Sequence, residues 1–126
     1  MSLIPKKGTV YVVDDDEAVR RGFTRLLQSA GLDARPYEFP ERFPAEVENL
    51  DHACILLDIT MPRMAGPQVQ AGLNARNITL PVITISARDD EHTRACAQTL
   101  GARMFLRKPV DDQALLDAIR WVTDAA

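Results

Sequence analysis

Short apolar runs alternate with helical patterns of apolar and polar residues along the 126 residues of the chain. The apolar runs predict five strands: Thr9–Asp14, Asp33–Tyr37, Ala53–Asp58, Val82–Ser86 and Met104–Leu106. The first and third runs are apolar without interruption over Val10–Val13 and Ile55–Leu57. An uninterrupted apolar run is typical of a strand that is covered on both faces of its sheet.

Apolar residues at helical spacing predict a helix after each strand. Val19, Phe23, Leu27 and Ala30 form one face of a first helix, and Gly31 ends it. The second helix is marked by Phe43, Val47 and Leu50, and the third by Val69 and Leu73. Asp89 and Asp90 begin the fourth helix, and Gly101 ends it. The fifth helix begins after Asp111 and Asp112, and its apolar face is Leu115, Leu116, Ile119 and Val122. This alternation predicts a mostly parallel sheet with helices on both faces.

Length and composition predict one domain, over residues 9–124, behind a segment 1–8 that is disordered or derived from the expression vector. A net charge of −3 without a Lys/Arg run argues against a nucleic-acid surface. The sequence has no apolar run of about 18 residues and no secretory pattern, so we expect a cytoplasmic protein without a membrane span. Cys54 and Cys96 lack metal-ligand spacing, which favours buried or half-buried thiols in a reducing compartment.

Polar side chains follow the predicted strands at the point where each strand ends. They are Asp14 and Asp15 after the first strand, Asp58 on the third, Ser86 on the fourth and Lys108 after the fifth. Open α/β sheets bind ligands at the carboxyl ends of their strands. Carboxylate oxygens without His or Cys suit a hard cation such as Mg²⁺. An Asp can act as the nucleophile in phosphoryl transfer, with a Lys and a hydroxyl stabilising the charge. The pattern therefore predicts a metal-assisted phosphoryl-transfer centre.

Four stretches, "VVDDDEAVR", "LLDITMPRMAG", "ITISAR" and "LRKP", occur in this order. Together they resemble the receiver domains of two-component response regulators, most closely those of the NarL/FixJ kind. The resemblance covers about Thr9 to Thr123. It implies the flavodoxin-like fold of the chemotaxis regulator CheY, a doubly wound (βα)5 fold whose five-stranded parallel sheet has the order 2-1-3-4-5.

The resemblance also implies roles at the strand ends. Asp58 would accept a phosphoryl group from a histidine kinase. Asp14 and Asp15 would hold Mg²⁺ together with Asp58 and the backbone carbonyl of Thr60. Asp16, the third acid of the run, is expected to cap the first helix.

Three further positions gain roles from the same resemblance. Ser86 and Lys108 would contact the phosphoryl group, and the Lys108–Pro109 bond would be cis. Ser86 and Phe105 would form the conformational switch, with Phe105 standing where many members have Tyr. The domain would then not be a conventional enzyme, because it would catalyse only its own phosphorylation and dephosphorylation.

The implied partners are a sensor histidine kinase and a C-terminal DNA-binding output domain that is absent from this chain, so the implied role is transcriptional control. This domain itself would not contact nucleic acid. A phosphorylated homodimer would use the face of the fourth helix, fifth strand and fifth helix. That face carries Arg94, Arg103, Arg107 and Asp111.

Two alternatives belong to other functional classes. In a haloacid-dehalogenase-type phosphatase the nucleophile would be Asp14, paired with Asp16, but Ala18 stands where that family usually has Thr or Val. A phosphorylation-independent interaction module could use the same fold. The intact acid set, together with Ser86 and Lys108, argues against such a module.

Overall fold

The predicted parallel sheet is present in the computed structural model, which describes residues 8–38, 43–60 and 66–124. Its strands are β1 (Thr9–Val13), β2 (Asp33–Tyr37), β3 (Ala53–Asp58), β4 (Val82–Ser86) and β5 (Met104–Arg107). All neighbouring strands are parallel, in the order β2-β1-β3-β4-β5. This is the order that the family resemblance implied. The predicted N-terminal segment 1–8 lies outside the described residues, apart from Gly8.

Helices cover both faces of this sheet. They are α1 (Glu17–Ser29), α2 (Phe43–Glu46), α3 (Gly66–Ala75), α4 (Glu91–Thr99) and α5 (Asp112–Asp124). Residues of α1 and α5 pack with Val10 and Val12 of β1 on one face. Residues of α2, α3 and α4 pack with Tyr11 and Val13 on the other. None of the helices in the described ranges combines the length and the apolar character that a membrane span requires.

Capping aspartates begin α1 and α4, and a glycine follows the end of each of these helices. The side chain of Asp16 caps α1 by accepting a hydrogen bond from the backbone N–H of Val19 at 3.2 Å, as predicted. Asp90 caps α4 in the same way. Gly31 and Gly101 follow α1 and α4 with φ values of +82° and +68°. Glycine adopts this left-handed conformation without the steric cost that a Cβ imposes.

The second helix is shorter than predicted. Phe43, Val47 and Leu50 predict a helix as far as Leu50, whereas α2 ends at Glu46. Phe43 and Val47 are fully buried and Leu50 is partly buried in the same cluster. The apolar spacing therefore reflects packing against the sheet, and the helical interpretation of residues 47–50 is wrong.

Hydrogen bonds from side chains that are distant in the sequence explain why α2 ends at Glu46. The hydroxyl of Tyr11 accepts a hydrogen bond from the backbone N–H of Glu48 at 3.1 Å and donates to its carbonyl at 3.4 Å. Arg76 donates to the carbonyl of Val47 at 2.6 Å. Because these partners satisfy the backbone of residues 47–48, the segment does not need helical hydrogen bonds.

The two cysteines are free thiols, as predicted. Cys54 is buried in β3 and Cys96 is half-buried in α4. Burial raises the pKa of the Cys54 thiol to about 12. That thiol is therefore protonated near neutral pH, which makes it unreactive.

Candidate metal and phosphoryl-transfer site

Three carboxylates meet where β1 and β3 end. Asp14, Asp15 and Asp58 each offer an oxygen atom, and these atoms lie within 4.8 Å of one another. Val13 pairs with Leu57 in the register of β1 and β3, so the residues that follow them, Asp14 and Asp58, lie side by side. Asp14 and Asp58 are buried and Asp15 is exposed. The sequence prediction that these acids converge is thus met by the structure.

The ammonium group of Lys108 lies between the two buried carboxylates. Lys108 Nζ is 3.1 Å from Asp14 Oδ2 and 2.9 Å from Asp58 Oδ2. The backbone N–H of Lys108 donates to the carbonyl of Ser86 at 2.8 Å, which fixes the lysine next to the end of β4. The Lys108–Pro109 bond is cis, as expected. Lys108 therefore compensates part of the repulsion between Asp14 and Asp58.

Thr60 binds the other oxygen of Asp58. Its backbone N–H donates to Asp58 Oδ1 at 2.8 Å, and its hydroxyl donates to the same atom at 2.6 Å. The family resemblance implied a role in the site only for the backbone carbonyl of Thr60. A hydroxyl two residues after an Asp is the pattern that signals this contact, because the spacing allows a local bond back to the carboxylate.

Asp14 is held by bonds to both its side chain and its backbone. Asp14 Oδ1 accepts a hydrogen bond from the backbone N–H of Asp16 at 2.9 Å. Arg20 in α1 donates to the carbonyl of Asp14 at 2.8 Å, and Asp14 N–H donates to the carbonyl of Tyr37 at 3.1 Å. The contact of Arg20 could not be predicted from the sequence, since an arginine on a polar helix face is ordinary.

The surroundings of Asp14 and Asp58 shift the pKa values of these two acids in opposite directions. Burial is the largest influence on Asp14 and raises its pKa, and the hydrogen bond from Asp16 offsets this only in part. Burial also acts to raise the pKa of Asp58, but the hydrogen bonds from Thr60 and Lys108 outweigh it, so that pKa is lowered. Burial acts to lower the pKa of Lys108, but the two carboxylates outweigh it and raise that pKa. Asp58 is thus a carboxylate and Lys108 an ammonium near neutral pH.

Ser86 is placed near the acids but is not bonded to them. It is fully buried as the last residue of β4, and Ile85 before it pairs with Asp58. Among the described residues, its hydroxyl takes part in one hydrogen bond, from the backbone N–H of Arg88 at 2.9 Å. The structure therefore brings Ser86 to the same edge of the sheet, and within the described ranges no hydrogen bond joins it to the carboxylates.

Phe105 lies on β5, beneath the side chain of Arg94 in α4. It is partly buried, and the guanidinium carbon of Arg94 lies 5.3 Å from the centre of its ring. Arg94 also forms an ion pair with Asp89. The residues that the sequence assigned to the face of α4, β5 and α5, namely Arg94, Arg103, Arg107 and Asp111, are all exposed.

The donor set of the cluster fits a hard divalent cation. The three groups of the cluster offer only carboxylate oxygens, and two of the three are buried next to each other. Oxygen ligands of high negative charge are those that Mg²⁺ prefers, whereas zinc and copper favour nitrogen and sulfur. The cluster could therefore hold a divalent metal ion.

Known proteins are similar to this chain in sequence and in fold. The family model described as the response regulator receiver domain matches residues 10–120. The transcriptional regulatory protein TdiR of Thauera aromatica is 41% identical over 111 residues, which are 88% of this chain and 49% of that protein. The transcriptional regulatory protein FixJ of Azorhizobium caulinodans is 37% identical over 117 residues, 93% of this chain and 56% of that protein.

A solved structure agrees with these relatives. The crystal structure of FixJ-N superimposes with a TM-score of 0.83 at 27% identity, covering 97% of this chain and 98% of that one. The chain spans about half the length of the curated relatives named above. The match to the family model extends over most of the chain and includes the three acids, Ser86 and Lys108. The chain therefore belongs to the response regulator receiver domain family of two-component systems.

Proposed function

We propose that this domain accepts a phosphoryl group on Asp58 from a phosphohistidine of a sensor histidine kinase, in a reaction that requires Mg²⁺. The observation that supports this most is the position of Asp58. It is almost fully buried, ionised, and in contact with Lys108 at 2.9 Å. A buried carboxylate with an adjacent ammonium and two neighbouring acids is suited to nucleophilic attack on a phosphorus atom.

The transfer would exchange one bond for another. An oxygen of Asp58 would form a bond to phosphorus, while the bond between phosphorus and the imidazole nitrogen of the kinase breaks. The electron pair of that bond would remain on the imidazole nitrogen. Lys108 would neutralise charge on the phosphoryl oxygens, since it already lies between Asp14 and Asp58. Ser86 would exchange its bond with Arg88 for one to the phosphoryl group.

Asp14, Asp15 and Asp58 would hold Mg²⁺ together with the backbone carbonyl of Thr60. When bound, the ion would offset the negative charge that the phosphoryl group adds to three carboxylates. Asp15 is suited to this because it is the exposed member of the cluster, open to an ion that retains water ligands.

Phosphorylation would then shift the population between two conformations through Ser86 and Phe105. A phosphoryl group can do so only through contacts that differ between the two states. The exposed mixed-charge face of α4, β5 and α5 would bind a second copy or an output domain.

TdiR and FixJ are transcriptional regulators, so we propose a cytoplasmic role in transcription, with DNA bound by an output domain and not by this chain.

The test is the intact mass of the protein after incubation with acetyl phosphate, with Mg²⁺ and with a chelator. We expect a phosphoryl adduct only with Mg²⁺, and none in Asp58→Asn. Asp117→Asn is the matched control, because it removes an exposed carboxylate of α5 and should leave the adduct unchanged. Absence of an adduct on wild type, with acetyl phosphate and with a panel of kinases, would favour an interaction module. An adduct that persists in Asp58→Asn but is lost in Asp14→Asn would favour the phosphatase.

A further inference from the structure

A cavity of about 400 Å³ lies between α1 and β2, outside the carboxylate cluster. Among the described residues, five of α1 and one of β2 line it: Glu17, Arg20, Arg21, Thr24, Arg25 and Pro36. Positions 17, 20, 21 and 24 follow the spacing of one helical face, and position 25 lies about one turn after position 21. The lining therefore combines three guanidinium groups with one carboxylate, in a chain whose net charge is −3.

Two of these guanidinium groups have no counter-ion among the described residues. Arg21 and Arg25 are exposed, and neither forms an ion pair with a described residue. Glu17 lies four positions before Arg21, a spacing that allows an ion pair on a helix, yet within the described ranges none joins the two. Like charges four positions apart on a helix repel each other. The face therefore concentrates positive charge that the described residues leave uncompensated.

The hydroxyl of Thr24, in the same lining, also has no partner. Its oxygen is buried and makes no hydrogen bond with the residues that the structure describes. The hydroxyls of Thr99 and Thr123, in α4 and α5, instead donate to the carbonyl four residues back. A buried hydroxyl without a partner is unfavourable. An anion oxygen that entered between the unpaired arginine side chains would supply that partner.

We propose that this cavity binds the diphosphate group of a small molecule. Arginine is suited to phosphate, because its planar guanidinium donates two parallel hydrogen bonds to phosphate oxygens. Arg21 and Arg25 are about 6 Å apart along the helix axis, so each can contact its own phosphoryl group. The cavity volume lies within the range of about 300–1,000 Å³ that is typical of small-molecule sites, and a single phosphate ion would leave most of it empty.

The proposed site does not depend on the phosphoryl transfer proposed above. None of its described lining residues belongs to the acid cluster. Arg20 connects the two sites, since it donates to the carbonyl of Asp14 at 2.8 Å. Arg20 is therefore left unaltered in the test, because its replacement would disturb Asp14.

The test is a titration of the unphosphorylated protein with inorganic pyrophosphate, followed by NMR of the backbone amides and of the arginine Nε–H groups. Metal is left out, because pyrophosphate itself binds Mg²⁺. We expect saturable shifts at Arg21, Thr24 and Arg25, and a weaker affinity for inorganic phosphate. The double variant Arg21→Gln with Arg25→Gln should bind pyrophosphate roughly tenfold more weakly than wild type, since it removes hydrogen bonds between charged groups.

Glu17→Gln supplies a change of the opposite sign within the same cavity. It removes the carboxylate that repels the ligand and should tighten binding about twofold to fivefold, the size of an interaction between exposed charges. Arg120→Gln is the matched control, because it removes an exposed guanidinium of α5 and should leave the affinity unchanged. Sulfate at the same ionic strength should not displace pyrophosphate.

Absence of saturable shifts at Arg21, Thr24 and Arg25 would overturn the proposal. Equal losses of affinity in the double variant and in Arg120→Gln would also overturn it, because they would indicate attraction by net charge alone. Displacement by sulfate would contradict recognition of a diphosphate. A poly-glutamate peptide is the remaining arm of the experiment. If the peptide shifts these three residues and pyrophosphate does not, the cavity receives an acidic protein segment and the proposal is wrong.

Discussion

The ammonium of Lys108 lies 2.9 Å from Oδ2 of Asp58, although the two residues are 50 positions apart in the sequence. Asp58 ends β3 and Lys108 follows β5, so the lysine reaches past the end of β4 to make this contact. The side chains are 21% and 5% exposed. A pair so shielded from water is screened weakly, and losing one partner leaves a buried charge uncompensated.

Replacing Lys108 should therefore destabilise the protein in the absence of metal. We expect Lys108→Met to lower the free energy of unfolding at pH 7 by about 3–5 kcal/mol, because Asp14 and Asp58 lose the cation between them. Urea denaturation in a buffer with a chelator measures this. Lys108→Arg keeps the charge and should lose less. Equal stability of Lys108→Met and wild type would show that the ion pair contributes nothing net.

Replacing Asp14 should raise the stability of the protein, in contrast to replacing Lys108, and the gain should depend on pH. Burial raises its pKa in the folded protein, so the folded state favours the protonated acid and ionisation at higher pH costs stability. We expect Asp14→Asn to raise the free energy of unfolding at pH 7 by about 0.5–2 kcal/mol, the range of common stabilising substitutions. This gain should shrink as the pH falls towards the ordinary carboxyl value of 3.8.

The matched control for this prediction is Asp16→Asn. It removes a carboxylate two positions away, but the amide oxygen can still cap α1. Its stability should stay close to that of wild type across the same pH series, measured without metal. A gain in Asp14→Asn that stays constant down to pH 3.8 would contradict the role of ionisation.

The sequence was sufficient to predict which residues converge, because parallel strands end at one edge of a sheet. It also predicted the bounds of β2, β3 and β4 as the structure has them. The bonds within the site depend on side-chain rotamers that no spacing specifies. Examples are the double contact of Lys108, the hydroxyl of Thr60 on Asp58, and the bond of Ser86 to Arg88.

The end of α2 could not be predicted for a different reason. The apolar spacing of this segment continues to Leu50. The hydrogen bonds that replace the helical ones at Glu48 come from Tyr11, which lies 37 residues away in the sequence. Local propensity is overridden here by a tertiary hydrogen bond. A tyrosine within an otherwise aliphatic buried strand was the only signal, since a buried hydroxyl needs a partner.

This tertiary bond gives a third prediction. Tyr11 is fully buried, and its hydroxyl contacts both backbone groups of Glu48. We expect Tyr11→Phe to lower the free energy of unfolding by about 1–2 kcal/mol, because the N–H of Glu48 loses its partner. The amide of Glu48 should also exchange faster with solvent, while amides of α5 should not change. Unaltered exchange at Glu48 would mean that this hydrogen bond does not hold the segment.

The last prediction concerns the contact between α4 and the proposed switch residue. Arg94 lies over the ring of Phe105 at 5.3 Å and is itself bound to Asp89. A cation over an aromatic ring at an exposed site is worth about 0.5–1 kcal/mol. We therefore expect a double-mutant cycle of Arg94→Ala and Phe105→Leu to give a coupling energy of that size in the unphosphorylated protein.

Arg120→Ala is the control for this cycle, because Arg120 is exposed on α5, and its effect should add to that of Phe105→Leu without coupling. The cycle also bears on the switch itself. If phosphorylation moves Phe105, the ring must leave the guanidinium of Arg94, and the coupling energy should fall in protein treated with acetyl phosphate and Mg²⁺. A coupling energy that survives complete phosphorylation would mean that Phe105 keeps its place, and the signal would have to leave the site by a route other than β5.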